Sequence, residues 1–110
     1  MNSQPEVRVV DNPEQSRFEI HLAEELAGRA EYRLRDNRVV FTHTEVDQAF
    51  AGKGLAGKLA RQALDMVRAA GRQATPLCPF IADYIRKHPE YLDLVDEQHR
   101  AELDQNKPDQ

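Results

Sequence analysis

Cysteine is almost absent from this chain. Cys78 is the only one in 110 residues, so no internal disulfide can form and no cysteine-based zinc cluster can be assembled. A basic excess is missing too: the formal charge is −4 at pH 7, against the basic face that nucleic-acid binding requires. No apolar run approaches the roughly 20 residues that a bilayer-spanning helix needs. The first ten residues, MNSQPEVRVV, lack the basic start and apolar core of a secretory signal. These absences lead us to expect a cytoplasmic protein with no membrane or nucleic-acid partner and no metal. Repeats and internal linkers are missing as well. The length suits one core and excludes a dinucleotide-binding domain joined to a separate substrate domain.

The chain divides into two halves by hydrophobic period. Val7 to Val10 suit a short strand, closed by the turn-like Asp11-Asn12-Pro13. From Ser16 to Leu22, Phe18, Ile20 and Leu22 alternate with Arg17, Glu19 and His21, the mark of a half-buried strand. Ala30, Tyr32 and Leu34 alternate with Glu31, Arg33 and Arg35, and Asp36-Asn37 turns the chain into a β-rich run over Arg38 to Val46. After residue 50 the period lengthens. Leu55, Leu59, Ala63, Met66 and Ala70 recur at helical spacing over Gly54 to Ala70, with Gly71 placed to end the helix. A short extended run over Gln73 to Leu77 follows. A second helix begins at Pro79, with Cys78 as its N-cap, Phe80, Ile81, Tyr84 and Ile85 as its apolar face, and Pro89 as its stop.

The expected fold class is therefore α+β. It has an antiparallel four-stranded meander, a β-α-β crossover that makes one parallel strand pair, and then a second helix. Residues 1–6 are expected to be frayed, 7–95 to form the domain, and 96–110 to be a polar, partly disordered tail. A short helix over 96–104 is possible within that tail, with disorder in the last six residues.

The segment GKGLAGKL, Gly52 to Leu59, satisfies G-x-G-x-x-G and misses G-x-x-x-x-G-K-S/T by one residue. Its surroundings exclude both motifs. A dinucleotide fingerprint opens the first βαβ unit and needs an acid about 20 residues on, where Gly71 to Leu77 carries none. A triphosphate loop needs a hydroxyl at position 59 for magnesium, and Leu59 lies on the apolar stripe. What remains is a helix start with free amides and a positive dipole end, glycines that admit close approach, and Lys53, Lys58 and Arg61 nearby. A plain strand-to-helix turn that binds nothing has the same letters.

Four antiparallel strands followed by such a loop resemble the GNAT acetyltransferase superfamily, whose pattern Gln/Arg-x-x-Gly-x-Gly/Ala falls here on Ala51 to Ala56. Gly54 and Ala56 match; Ala51 departs from the longer polar side chain usual there. HTEV (43–46), AGKGLAGKLARQALD (51–65), PLCPF (76–80) and YIRKHPEY (84–91) look like small single-domain "YjdJ-type" acetyltransferase-like proteins, a shortened branch with a minimal fold and an open acceptor groove. The resemblance implies acetyl-CoA as cofactor and an amine acceptor, small molecule or protein, in a monomer or weak dimer. It places the pantetheine arm beside Glu45, Val46 and Asp47. The pyrophosphate goes to Ala51, Gly52, Lys53, Gly54, Leu55 and Ala56, with Lys58 adding charge and Gly57 and Leu59 left to helix packing.

Four side chains are candidates for the chemistry. His43 and Glu45, two apart on one strand face, are both possible proton acceptors. Cys78, at a helix start beside the expected thioester, either forms an acyl-cysteine or lines the acetyl pocket. Tyr84, in a register uncertain by one residue against Ile85, is the acid for the leaving thiol by resemblance. His88 and Tyr91 read as a helix stop and a packed residue. Beside the acetyltransferase stand a non-catalytic CoA or acyl-CoA binding module and a protein-interaction domain.

Overall fold

Segments of period two become strands and the segment of period 3.6 becomes a helix in the computed structural model, which describes residues 6–105. Strands β1 (Val7–Asn12), β2 (Arg17–Leu22), β3 (Glu25–Arg35) and β4 (Arg38–Val46) form an antiparallel meander. A 3-10 turn over Gln48–Phe50, helix α1 (Leu55–Ala69) and strand β5 (Gln73–Pro76) follow, and β5 runs parallel to β4. Helix α2 (Pro79–Lys87), a 3-10 segment over Pro89–Leu94 and helix α3 (Glu97–Gln105) come last. The strand order is β1-β2-β3-β4-β5. This is the α+β class expected, a mostly antiparallel sheet with one parallel pair. The fraying expected over 1–6 and the disorder expected in the last six residues fall on 1–5 and 106–110, outside the described residues, apart from Glu6 and Gln105.

β3 starts five residues before the alternation that announced it. Ile20 faces Gly28 and His21 faces Leu26, so Ala27 is an extra residue between them. A one-residue bulge reverses the alternation, which hides Glu25 to Arg29 from any period-two reading. Gly28 is required there. A Cβ on it would stand 2.8 Å from the Glu45 carbonyl oxygen and 3.0 Å from Val46 Cγ2. Gly28→Ala should cost about 1–3 kcal/mol by overpacking, measured by urea unfolding, and should spread β3 from the end of β4.

α1 lies across the inner face of the sheet from β1 to β5. Leu55, Leu59, Ala60, Ala63, Leu64 and Val67 form its buried stripe. Gly71, at φ 72°, closes it: its N–H bonds to the Arg68 carbonyl and that of Arg72 to the Val67 carbonyl, a Schellman end that favours glycine. Ala70, expected on the stripe, is the exposed cap residue. In the core, Phe18 stacks on Phe41 at 5.9 Å and lies 5.1 Å from Tyr32. α2 turns Ile81, Ala82 and Ile85 inward, so Phe80, expected on the apolar face, falls at its margin and is exposed.

The short helix over 96–104 forms as α3. The chain leading into it is anchored: Val95 is fully buried and bridges Ala74, and the Thr75 hydroxyl donates to the Asp96 carboxylate. Leu103 is buried as well.

On the outer face, Glu19 is buried despite its place in the polar alternation. Asn12 Nδ2, Arg17 Nε and His21 Nε2 converge on its two oxygens at 2.9, 2.8 and 3.0 Å. Burial alone would raise this carboxyl, but hydrogen bonds from Arg17, Asn12 and His21 outweigh it and bring the pKa down to about 2. A depressed carboxylate contributes stability above its unfolded pKa and loses it as pH falls through the folded value. Glu19 should therefore contribute up to about 3 kcal/mol above pH ~5, declining towards pH ~2. The stability deficit of Glu19→Gln, followed by denaturant melts, should shrink over that window.

Candidate functional site

β4 and β5 pair only over Arg38–Phe41 and Gln73–Pro76. The Cys78 N–H donates to the Phe41 carbonyl at 2.9 Å, and there the two chains part. A second bulge marks the place: Tyr32 faces Phe41 while Glu31 faces His43, leaving Thr42 as the extra residue. Beyond it, the Asp47 N–H bonds to the Ala27 carbonyl at 2.7 Å. By the alternation of antiparallel ladders, His43 and Glu45 address β3 as Asp47 does, and Thr44 and Val46 turn their backbone polar groups away. They face the side that β5 has left, a strand edge open to an extended ligand. Asp47, expected beside the pantetheine arm, is otherwise occupied: its N–H serves Ala27 and its carboxylate caps the 3-10 turn through the Ala49 N–H.

Cys78 and Thr44 line the inner side of this gap. Cys78 is buried and its thiol donates to Thr44 Oγ1 at 3.3 Å. The partner is a hydroxyl, so the contact supplies no base to remove the thiol proton. Among the described residues no group of three or more His, Cys, Asp or Glu could hold a metal.

Next along the chain, half-buried Phe50 ties the loop to the core. Ala51 is exposed and extended. Gly52 and Gly54 have φ of 82° and 71°, left-handed values that favour glycine. Gly54 is the N-cap of α1 and makes no side-chain bond. The amides of Leu55, Ala56 and Gly57 lie in the first turn, where no intrahelical acceptor exists. A Cβ on Gly52, Gly54 or Gly57 would meet no heavy atom within 4 Å. Gly57 therefore does not serve helix packing, as Leu59 does. It opens instead onto a cavity of about 270 Å³ lined by Gly54, Gly57, Lys58, Arg61 and Tyr84. Lys53 is exposed in the loop, and Leu55 is buried, so Leu55 offers its amide alone. The residues present fit a pyrophosphate: free amides, open glycines and two cations.

Tyr84 stacks on His88 with ring centroids 4.1 Å apart. Burial raises its pKa, with Arg61 opposing and Glu90 and Asp65 adding to the rise, so the phenol stays protonated at neutral pH. His88 ends α2 as expected, and buried Tyr91 donates to Asp65 at 2.7 Å.

His43 and Glu45 lie together on the outer face, at 55% and 54% side-chain exposure, with His43 Nε2 3.2 Å from Glu45 Oε1. The structure thus separates the four candidates. His43 and Glu45 are on one side of β4, Cys78 is on the other, and Tyr84 is on α2. Pairing alone reveals what accompanies His43. In register, Arg17, Glu31 and His43 form one row across β2, β3 and β4, and Glu19, Arg29 and Glu45 form the next. Arg29 donates to Glu31 Oε2 at 2.7 Å and to Glu45 Oε1 at 3.0 Å. The Arg29 hydrogen bond, more than the nearby His43 and Arg17 charges, lowers the Glu31 carboxyl against the effect of burial. Arg29, Glu31 and Thr44 carry no motif; only strand register, which the bulges displaced, could have shown them.

A meander whose last strand parts from a parallel neighbour over a glycine-capped helix defines the acetyltransferase fold class. The chain belongs to the GCN5-related N-acetyltransferase family, whose profile matches residues 17–94, from β2 through the second 3-10 segment. It is similar to Protein NATD1 of Mus musculus, 37% identical over 67 residues covering 58% of this chain and 61% of that protein. Protein NATD1 of Homo sapiens is also 37% identical over 67 residues, covering 58% and 59%. The chain thus spans about three fifths of the length of the curated relatives it matches. The NMR solution structure of a GCN5-like protein from Staphylococcus aureus shares the fold, with a TM-score of 0.61 at 22% identity, covering 86% of this chain and 90% of that one.

Proposed function

We propose that the protein is an acetyl-CoA-dependent N-acetyltransferase acting on an amine. The observation that carries this reading is the parting of β4 from β5 at Phe41 and Cys78, in line with the glycine-capped start of α1. The gap leaves the β4 edge at Thr44 and Val46 without a strand partner. The amides from Gly52 to Gly57, with Lys58 and Arg61, would hold the pyrophosphate, and the free edge at Thr44 and Val46 would bond the pantetheine amides. Bound there, acetyl-CoA would supply an acetyl group activated as a thioester.

The chain's own residues do the rest. Glu45 is shared between Arg29 and His43, so it orients the imidazole, and His43 accepts the amine proton through its other ring nitrogen. In the transfer the amine nitrogen would take the acetyl group as the carbon–sulfur bond breaks, and Tyr84, on the rim of the glycine-loop cavity, is the side chain that would return a proton to the CoA sulfur. Cys78 and Thr44 shape the acetyl pocket. This favours the lining role of Cys78 over an acyl-cysteine. Mass spectrometry after rapid quench with acetyl-CoA should find no adduct on Cys78, and Cys78→Ser should retain activity; a stoichiometric adduct reverses this assignment.

A non-catalytic CoA-binding module is the second reading, favoured by Ala51 and by the hold of Arg29 on Glu45. Calorimetry with CoA and a free-thiol release assay over a range of amines test the proposal together. Binding with release supports the transferase, binding without release supports the module, and no binding overturns both.

A further inference from the structure

We propose that the acceptor is a small amine that also carries an anionic group, a carboxylate or phosphate, bound on the outer face of the sheet. This inference rests on the acetyltransferase reading. A cavity of about 500 Å³ lies there, lined by Gln15, Ser16, Arg17, Glu31, Tyr32, Arg33 and Thr42. That volume is in the range of small-molecule sites and is separate from the cavity at the glycine loop.

Its position connects it to the chemistry. Thr42 is the bulge residue where β4 leaves β5, and Glu31 is the register partner of His43. An amine beside Glu31 therefore stands next to the imidazole that would take its proton. Two guanidinium groups flank Glu31: Arg17 is its register partner on β2, and Arg33 lies two residues along β3 on the same face. Arg17 uses only its Nε on Glu19 among the described residues, leaving its two terminal nitrogens available. Arg33 is exposed and makes no hydrogen bond or ion pair among the described residues. Arg17 is already paired with Glu19 and Glu31 with Arg29, so Arg33 is the cation of this cavity that has no carboxylate partner among the described residues, in a chain of formal charge −4.

Guanidinium groups bind carboxylate and phosphate through paired hydrogen bonds, while Glu31, its carboxyl lowered by the Arg29 bond, remains an anion for the ammonium group. A polycationic amine finds one carboxylate and two repelling cations. A purely apolar amine leaves both arginines unmatched. An amine joined by a short linker to an anion satisfies both the carboxylate and the guanidinium groups.

O-phosphoethanolamine and ethanolamine differ only in the anion and make the test. With acetyl-CoA, kcat/KM for O-phosphoethanolamine should exceed that for ethanolamine by about tenfold or more. In Arg33→Ala this ratio should fall by at least about fivefold, and in Arg33→Glu it should fall below one. Arg35→Ala, an exposed arginine outside the cavity, should keep the ratio. O-phosphoethanolamine titrated into the protein without acetyl-CoA should shift the amides of Arg17, Glu31, Arg33 and Thr42. Those shifts without any acetyl transfer would uphold the site and remove the transferase reading. Equal turnover of the two amines, or a preference for spermidine, overturns the proposal and leaves that reading intact.

Discussion

Replacing His43 by alanine is expected to lower kcat by about 10²–10⁴ while leaving the KM for acetyl-CoA and the unfolding midpoint nearly unchanged. The imidazole is more than half exposed, so its loss creates no cavity, and stability should move by no more than about 0.5 kcal/mol. Its ring nitrogen is held by Glu45, itself held by Arg29. Glu45→Gln should therefore lower kcat less, by about tenfold, because an amide still orients the ring. Added imidazole should restore part of the rate to His43→Ala, since the outer face is open to solvent. A variant retaining kcat to within about threefold of the parent would place the base elsewhere and remove the row Arg17–Glu31–His43 from the mechanism.

The second large effect is at the glycine loop, where stability and binding should move in opposite directions. Gly57→Ala should stabilise the protein by about 0.5–1 kcal/mol, because alanine is the better helix former and its methyl meets nothing. The same methyl projects where an anion would approach the first-turn amides, so CoA should bind about tenfold more weakly. Gly54→Val should be worse on both counts. Its φ of 71° costs a side-chain-bearing residue about 1–2 kcal/mol, and relieving that strain would turn the amides of α1 away from the cradle. Calorimetry and thermal melts of the two variants distinguish a phosphate cradle from a turn. A Gly57→Ala protein that is more stable and binds CoA undiminished would show that the loop is only a helix start.

Much of the fold is legible in local patterns. Phe18, Ile20 and Leu22 announce β2, the stripe from Leu55 to Val67 announces α1, and Gly54 and Gly71 bound that helix because their dihedral angles suit no other residue well. The loop is legible through its match to one phosphate motif and near match to another. The site was harder to read. Thr44 and Gly57 belong to it, and neither carries a letter that suggests binding. Glu45 looked like a rival base to His43 until the structure showed Arg29 holding it. Cys78 and His43 are both candidates for the chemistry by sequence, and the pleat puts them on opposite sides of β4.

The sequence alone determined the order of elements, the helix boundaries and the glycine-capped turn. These follow from side-chain period and backbone preference, energies set within a few residues. Only the tertiary structure decided the bulges at Ala27 and Thr42, the burial of Glu19, the need for Gly28, and the row that sets Arg17 and Glu31 beside His43. Those depend on which residue of one strand faces which residue of another. That pairing is fixed by packing across the whole sheet, and a shift of one position turns every side chain to the other face.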